Sequence, residues 1–156
     1  MERPQSVRKK EKKPTLFKLF FFFFFFWRIV NALCALGKFE EAKSKVQHVQ
    51  KLLVARAGDA ARKQKIDDLM DDVRIKLKKN KEIQLYRRKL DSFDYNTDTD
   101  KLRLMIRLAD GMKELERPTR EIALVYREGM NLIDDDATFS AKTDEIGIFL
   151  RNYGII

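Results

Sequence analysis

The sequence predicts an all-α protein of about five helices packed as antiparallel helical hairpins. One observation is composition, because the 156 residues include only three prolines and six glycines and are rich in Leu, Lys, Arg, Asp and Glu. The other is periodicity, because apolar residues recur at spacings of three and four along most of the chain. With 44% hydrophobic residues, the chain is suited to one domain with a modest core.

Three segments of different composition divide the chain. Residues 1–14 form a basic, Pro-bounded tail without apolar periodicity, which we expect to be disordered. Residues 15–36 are hydrophobic and rich in phenylalanine, and residues 37–156 carry the three- and four-residue apolar spacing of an α-helical domain. Lys and Arg outnumber Asp and Glu over residues 1–90, whereas the reverse holds over residues 91–156.

The second segment contains seven consecutive phenylalanines, Phe20 to Phe26, followed by the single tryptophan, Trp27. The stretch from Leu16 to Leu36 is long enough for a membrane span, which needs about 20 residues. Arg28 and Asn31 oppose insertion, because a central Arg costs about 2.5–3.5 kcal/mol. Three interpretations therefore remain: a membrane anchor, a low-complexity extension that was never selected to fold, or a hydrophobic helix packed on the domain.

The apolar periodicity of residues 37–156 predicts five helices joined by short turns. They cover about residues 39–53 and 60–93, then a helix capped by Thr97 that ends at Arg117-Pro118, one from there to Asp134, and one over about 140–153. Their predicted apolar stripes are Phe39, Ala42, Val46, Val49 and Leu53; Ile66, Leu69, Val73, Leu77, Ile83, Tyr86, Leu90 and Phe93; Leu102, Met105, Ile106, Ala109, Met112 and Leu115; Ile122, Val125, Tyr126, Leu132 and Ile133; and Ile146, Phe149, Leu150 and Tyr153.

The first predicted turn has the sequence LGKFEEA. Over about residues 27–53 this stretch, with Gly37, Phe39 and Ala42, resembles the turn of a tetratricopeptide repeat. The resemblance implies that Gly37 closes one helix, Phe39 starts the next, and Ala42 lets the two helices approach closely. It also implies that the helical hairpin belongs to a protein-binding surface. The same three residues also suit any amphipathic helical hairpin, and no second copy follows at the 34-residue period of that family.

The densest basic run lies between Arg74 and Lys89. Its charges could contact an anionic partner, with Tyr86 available to stack on a base, or they could form a solvated face paired with the acidic C-terminal half. No recognisable nucleic-acid-binding fold accompanies the run, so sequence-specific recognition is not supported. The candidate contacts are Arg74, Lys76, Lys78, Lys79, Lys81, Arg87, Arg88 and Lys89.

Catalytic and metal-binding signatures are absent from the sequence. The single cysteine, Cys34, and the single histidine, His48, exclude an internal disulfide and leave no Cys/His metal pattern. The stretch from Asp94 to Met105 resembles a calcium loop but lacks its turn glycine and its closing glutamate. We therefore predict no enzyme activity, no cofactor, no metal and no small-molecule substrate.

The leading functional interpretation is a non-catalytic protein–protein interaction or scaffold module that binds partners through exposed helical faces. One alternative is a single-pass or peripheral membrane protein held by Leu16 to Leu36. A further alternative is non-specific nucleic-acid binding through residues 74–89. The low cysteine content and the absence of Asn-x-Ser/Thr sequences favour a cytoplasmic setting for the body, with membrane association left open.

Overall fold

Six α-helices make up nearly all of the described chain, in a computed structural model that covers residues 16–54, 60–135 and 138–154. The side chains of residues 16–20 and 135 are outside this description, as is the tail at 1–14 that we predicted to be disordered. The helices are α1 (Leu16–Ala35), α2 (Phe39–Val54), α3 (Ala60–Asp91), α4 (Asp98–Glu114), α5 (Thr119–Asp135) and α6 (Thr143–Gly154). The described residues contain no strand, so the predicted all-α class is confirmed, and the expected count of about five helices is close.

Each helix packs mainly on the next one along the chain. α1 packs on α2, α2 on α3, α3 on α4, and α4 on α5, whereas α6 returns to contact both α4 and α5. Short turns between helices force this order, because a turn of a few residues leaves neighbouring helices antiparallel and adjacent. The result is a series of helical hairpins.

Two apolar clusters form the core, and α3 belongs to both. Its 32 residues extend over about 48 Å at 1.5 Å per residue. The first half of α3 packs with α1 and α2, and the second half packs with α4 to α6. The buried members of the first cluster are Phe26, Val30, Cys34, Phe39, Ala42, Val46, Val49, Ile66, Leu69, Met70, Val73 and Leu77. Those of the second are Leu102, Met105, Ile106, Leu108, Ala109, Met112, Ile122, Val125, Tyr126 and Phe149.

Three helices end in the same hydrogen-bonded turn, a Schellman motif. After α1, the Lys38 N–H donates to the Leu33 carbonyl at 2.8 Å and the Gly37 N–H to the Cys34 carbonyl at 2.9 Å. The corresponding turns after α3 and α4 place Phe93 and Glu116 at the left-handed position, with φ of 56° and 53°. Glycine occupies that position only in the first turn, where φ is 73°.

The connection from α5 to α6 is attached to the start of α4. The Ser140 N–H donates to Asp98 Oδ2 at 2.7 Å, and the Lys142 N–H donates to Thr99 Oγ1 at 3.1 Å. Thr99 is buried, so its hydroxyl is satisfied by this contact instead of by water. These bonds hold α6 against the second cluster.

The predicted apolar stripes differ from the structure at three aromatic or aliphatic positions. Phe93 is 74% exposed, because it lies in the turn after α3 and not on the helix face. Leu150 and Tyr153 are also exposed in part, since α6 packs mainly through Phe149 and Ile146, although the Tyr153 ring lies 5.7 Å from that of Tyr126. The stripes were correct where several turns of helix supplied the pattern and wrong at a helix end and in the short helix α6.

Candidate interaction surface

The turn from α1 to α2 is built by the three residues that resemble a repeat. Gly37 takes the left-handed conformation that ends α1, and Phe39 and Ala42 are buried at the start of α2. The Arg117 guanidinium, from the turn after α4, lies 2.8 Å from the position that a Cβ on Gly37 would occupy. The left-handed conformation therefore favours glycine at residue 37, whereas the flexible end of the Arg117 side chain could move away from a Cβ.

The phenylalanine run is divided between the core and the surface. Phe26, Val30 and Cys34, spaced by four residues, are buried against α2 and α3. Phe25, next to Phe26, is 56% exposed. We call the exposed set the aromatic face of α1, and its members are Phe21, Phe22, Phe24, Phe25, Trp27 and Ile29.

This aromatic face is an unusual surface for a helix that already has a buried side. Isolated apolar side chains are common on protein surfaces, but a contiguous group of large ones marks an interaction site. α1 contains no Asp or Glu, and the Arg28 guanidinium lies 5.5 Å from the centre of the Phe24 ring. The face is therefore aromatic with a cationic component.

A groove of about 820 Å³ lies between α1 and α3, beside the aromatic face. We call it the α1/α3 groove. The last residue of α4 and the turn after it contribute Glu114, Leu115 and Glu116 to the lining, so the groove is also bordered by this part of the chain. The lining residues are Phe23, Trp27, Asn31, Cys34, Ala35, Phe39, Lys65, Asp68, Leu69, Asp72, Lys76, Glu114, Leu115 and Glu116.

Two of the four carboxylates in the α1/α3 groove are neutralised. Asp72 lies 2.9 Å from Lys76 Nζ, and Glu114 lies 2.7 Å from Lys79 Nζ. Burial acts to lower the pKa of Lys76, but the hydrogen bond and the charge of Asp72 outweigh it, so this pKa lies above its ordinary value. The ammonium group thus stays charged and holds Asp72.

The other two carboxylates have no cation within 4 Å among the described residues. Asp68 accepts a hydrogen bond from the Gln64 side-chain amide at 2.7 Å, and Glu116 lies in the turn after α4. The remaining cation of the groove, Lys65, has its ammonium group 6.0 Å from the centre of the Phe23 ring. The groove therefore combines an apolar surface with a local excess of negative charge.

The basic run at residues 74–89 lies along α3, and six of its eight side chains are within 4 Å of a carboxylate. Lys81 reaches Glu40 in α2, and Arg87 makes a double hydrogen bond to Glu128 in α5 at 2.9 and 3.1 Å. The remaining pairs are Arg74 with Asp71, Lys76 with Asp72, Lys79 with Glu82 and Glu114, and Lys89 with Asp94. Lys78 and Arg88 make no ion pair within the described residues. The geometry is that of a charged helix face paired with neighbouring acids.

A smaller groove of about 350 Å³ lies further along α3, between the second half of α3 and α5. It is lined by parts of α4 as well, including Leu108 and Met112. Arg87 and Glu128, which both line this groove, form a bidentate hydrogen bond, so these two charges are already paired. This second groove lacks both the aromatic edge and the unpaired carboxylates of the first.

Cys34 lines the α1/α3 groove together with Asp72 and Lys76. No cluster of His, Cys, Asp and Glu in the described part of the chain could hold a metal ion. Burial raises the pKa of the Cys34 thiol, which disfavours the nucleophilic thiolate. The predictions that the protein is not an enzyme and needs no cofactor stay predictions.

Comparison with known proteins adds no functional assignment. No protein-family model, curated protein or solved structure matches the chain. The resemblance of residues 27–53 to a tetratricopeptide repeat stays a prediction. Within the described residues, no helix is long and apolar enough to cross a membrane.

The sequence identified the turn and the basic run, which contribute Phe39 and Lys76 to the α1/α3 groove, but not the other residues of that groove. Asp68 and Leu69 belong to a DDLMDD stretch that suggested only an exposed charged helix. From the sequence, Trp27 was recognised only as the residue that ends the phenylalanine run, and its position in the wall of a groove was not predicted. The available signal was the absence of acidic residues from α1 opposite an acidic stretch of α3, and it becomes meaningful only once the two helices are known to face each other.

Proposed function

We propose that this protein is a non-catalytic α-helical interaction module that binds another protein at the α1/α3 groove and the adjoining aromatic face of α1. The supporting observation is the division of α1, which buries Phe26 and Val30 in the core while large aromatic side chains remain exposed. A helix fixed in this way presents aromatic groups on a rigid support, and aromatic residues are frequent anchors of protein interfaces.

Site-specific photocrosslinking tests this proposal. Benzoylphenylalanine replaces Trp27, which lines the groove, in the full chain expressed in cells. The control carries the same group at Ile75, which is exposed on α3 and is not part of the groove. We expect discrete protein adducts at position 27 and only background at position 75. Identical patterns at the two positions, or no protein adducts at either, would contradict the proposal.

A second candidate function is membrane association through Leu16 to Leu36, as a single-pass or peripheral protein. The observation that favours it is the aromatic face itself, together with Arg28 and the lack of acidic residues in α1. Aromatic side chains flanked by basic ones are typical of protein surfaces that enter the lipid headgroup region.

Vesicle flotation separates the two candidates. The full chain is mixed with vesicles of phosphatidylcholine alone or with phosphatidylserine, and the double variant Phe22→Ser/Phe25→Ser is compared with Ile75→Ser/Leu85→Ser, which changes two exposed apolar residues elsewhere. A membrane role predicts flotation that only the first variant loses, and resistance of the membrane-bound chain to carbonate would indicate a span. Failure of the unaltered chain to float would rule out membrane binding of this kind.

A further inference from the structure

We propose that the α1/α3 groove binds a basic amphipathic helix of a partner protein. This inference rests on the proposed function and specifies the chemistry of the partner. The partner helix would place an apolar stripe on the aromatic and aliphatic wall of the groove and direct Lys or Arg side chains to its unpaired carboxylates.

The dimensions of the groove fit a short helix. Along α1 it extends from Phe23 to Ala35, which corresponds to about 18 Å of helix axis. That length matches about three turns of a partner helix. Because α1 and α3 each pack on α2, they flank the groove as two rigid walls.

Apolar side chains from α1, α3 and the turn after α4 contribute to the lining and could contact an apolar stripe. Phe23 and Trp27 are one helical turn apart on α1, and Leu69 faces them from α3. Leu115 adds a fourth apolar group from the turn after α4. A helix that presents apolar side chains three and four residues apart would meet this surface along its whole length.

The polar part of the lining selects the charge of the partner. Asp68 and Glu116 have no cation within 4 Å among the described residues, whereas Asp72 and Glu114 are paired with lysines. A carboxylate-lined groove favours Lys and Arg on the edges of the bound helix and disfavours Asp and Glu. The ammonium group of Lys65 lies 6.0 Å from the centre of the Phe23 ring. The four carboxylates of the lining outnumber its two lysines, Lys65 and Lys76.

The net charge of the protein makes it possible to distinguish specific binding in the groove from non-specific charge attraction. The chain carries a formal charge of +9, so its overall field repels a cationic peptide and attracts an anionic one. Non-specific electrostatics therefore predicts the opposite preference to the one that the groove predicts. Binding of the cationic peptide requires local complementarity.

Trp27 supplies the measurement, because it is the single tryptophan, lines the groove and is 48% exposed. The full chain is titrated with three synthetic peptides of about 14 residues that contain no tryptophan: an amphipathic Leu/Lys helix, the same helix with Glu in place of Lys, and a scrambled Leu/Lys sequence. We expect a saturable shift of Trp27 emission to shorter wavelength with the first peptide alone.

The other outcomes each overturn the inference in a distinguishable way. A response to the Leu/Glu helix instead would show a helix-binding groove with the opposite charge preference, and equal responses to the ordered and scrambled peptides would show charge attraction without a groove. If phosphatidylcholine vesicles shift Trp27 emission and no peptide does, the surface binds lipid. If no peptide shifts it while benzoylphenylalanine at position 27 still crosslinks to protein in cells, only the basic chemistry of the partner is wrong.

Charge reversal locates the contact. Asp68→Lys is expected to weaken binding of the Leu/Lys helix about tenfold, because it replaces an attraction by a repulsion at an exposed position. The matched control is Asp134→Lys, which makes the same change at an exposed residue of α5 outside the groove. Circular dichroism of both variants verifies the fold. Equal effects of the two substitutions would place the contact elsewhere and overturn the inference.

Discussion

Individual residues at the helix ends carry a conformational cost. Phe93 and Glu116 take left-handed backbone angles at positions where helices usually have glycine. A side chain in this conformation costs roughly 1–2 kcal/mol relative to right-handed backbone. Both turns keep the two hydrogen bonds of the Schellman motif, so the unfavourable backbone angles occur in a turn whose hydrogen bonding is complete.

Phe93→Gly is expected to stabilise the protein by about 0.5–1 kcal/mol. The strained conformation is relieved and the lost side chain is 74% exposed, although glycine also makes the unfolded chain more flexible. Urea unfolding followed by circular dichroism measures the change. The control is Ser92→Gly, whose φ is not positive, so glycine there is expected to be neutral or destabilising. A loss of stability in Phe93→Gly would contradict the expectation.

Tyr126 couples stability to alkaline pH. Its side chain is fully buried beside Phe149, and desolvation raises its pKa to about 12. Between pH 10 and pH 12 the unfolded state loses the phenol proton that the folded state keeps, so stability falls as pH rises. The slope from this group is about 1.4 kcal/mol per pH unit.

Comparison with Tyr126→Phe isolates this effect. The variant lacks the phenol and also the hydrogen bond that Lys113 Nζ donates to it at 3.3 Å, so it is expected to be less stable at neutral pH. Urea unfolding at a series of pH values from 9 to 11.5 should show a steeper decline for the unaltered protein. Parallel declines in the two proteins would mean that the Tyr126 pKa is not raised by burial.

At the scale of elements, α1 buries one side in the apolar core and exposes the other. The same residue type occupies both environments, since Phe26 is 9% exposed and Phe25 is 56% exposed. We therefore expect removal of residues 1–36 to expose the surfaces of α2 and α3 that Phe26, Val30 and Cys34 cover. Such a truncation would weaken the first cluster and not merely release a tail.

A pair of neighbouring substitutions tests this packing. Phe26→Ala is expected to destabilise the protein by about 3 kcal/mol, because a buried phenyl ring is lost and a cavity remains. Phe25→Ala makes the identical change one residue away and is expected to cost less than about 1 kcal/mol. Chemical unfolding of the full chain measures both. Equal effects would indicate that α1 does not pack on α2 and α3 as described.

The helices themselves could be predicted from sequence because the pattern was long. The stripe from Ile66 to Leu77 covers three turns, and every predicted member of it is buried. Thr97 was predicted as a cap, and its hydroxyl accepts a hydrogen bond from the Asp100 N–H at 3.1 Å. The run of identical phenylalanines did not predict which side of α1 is buried, because it contains no polar residues that would indicate the exposed side.

At the scale of the whole molecule, α3 joins the two apolar clusters. Its first half contributes Ile66 and Val73 to one cluster, while Ile83 and Tyr86 in its second half pack on the other. Leu115, which follows α4, packs on the first cluster and adds a second connection. The two halves of the molecule should therefore unfold together.

Leu102→Ala tests this cooperativity. Leu102 is fully buried in the second cluster, and its truncation is expected to cost about 2–5 kcal/mol. Trp27 fluorescence reports on the first cluster and circular dichroism on all helices, and we expect both unfolding midpoints to fall together. A Trp27 midpoint that stays unchanged would show independent units. Leu85→Ala, at an exposed position of α3, is the control for helix propensity.

The grooves could not be predicted from the sequence, and the reason is geometric. A groove depends on the separation between α1 and α3, which are not neighbours in the chain, and periodicity reports only the side that a helix buries. The pairing of Lys81 with Glu40 and of Arg87 with Glu128 illustrates the same limit. The overall charge imbalance suggested that basic and acidic helices meet, but not which residues do so.

The phenylalanine run also has a consequence for variation in the length of the chain. Since every position from Phe20 to Phe26 has the same side chain, inserting or deleting one phenylalanine leaves the identity of the residue at each helical angle unchanged throughout the remaining run. Trp27 and all residues after it keep their positions. Within α1, only Leu16 to Leu19 rotate, by about 100° around the helix axis. Such a length change, which would disrupt an ordinary amphipathic helix, is nearly silent in this one.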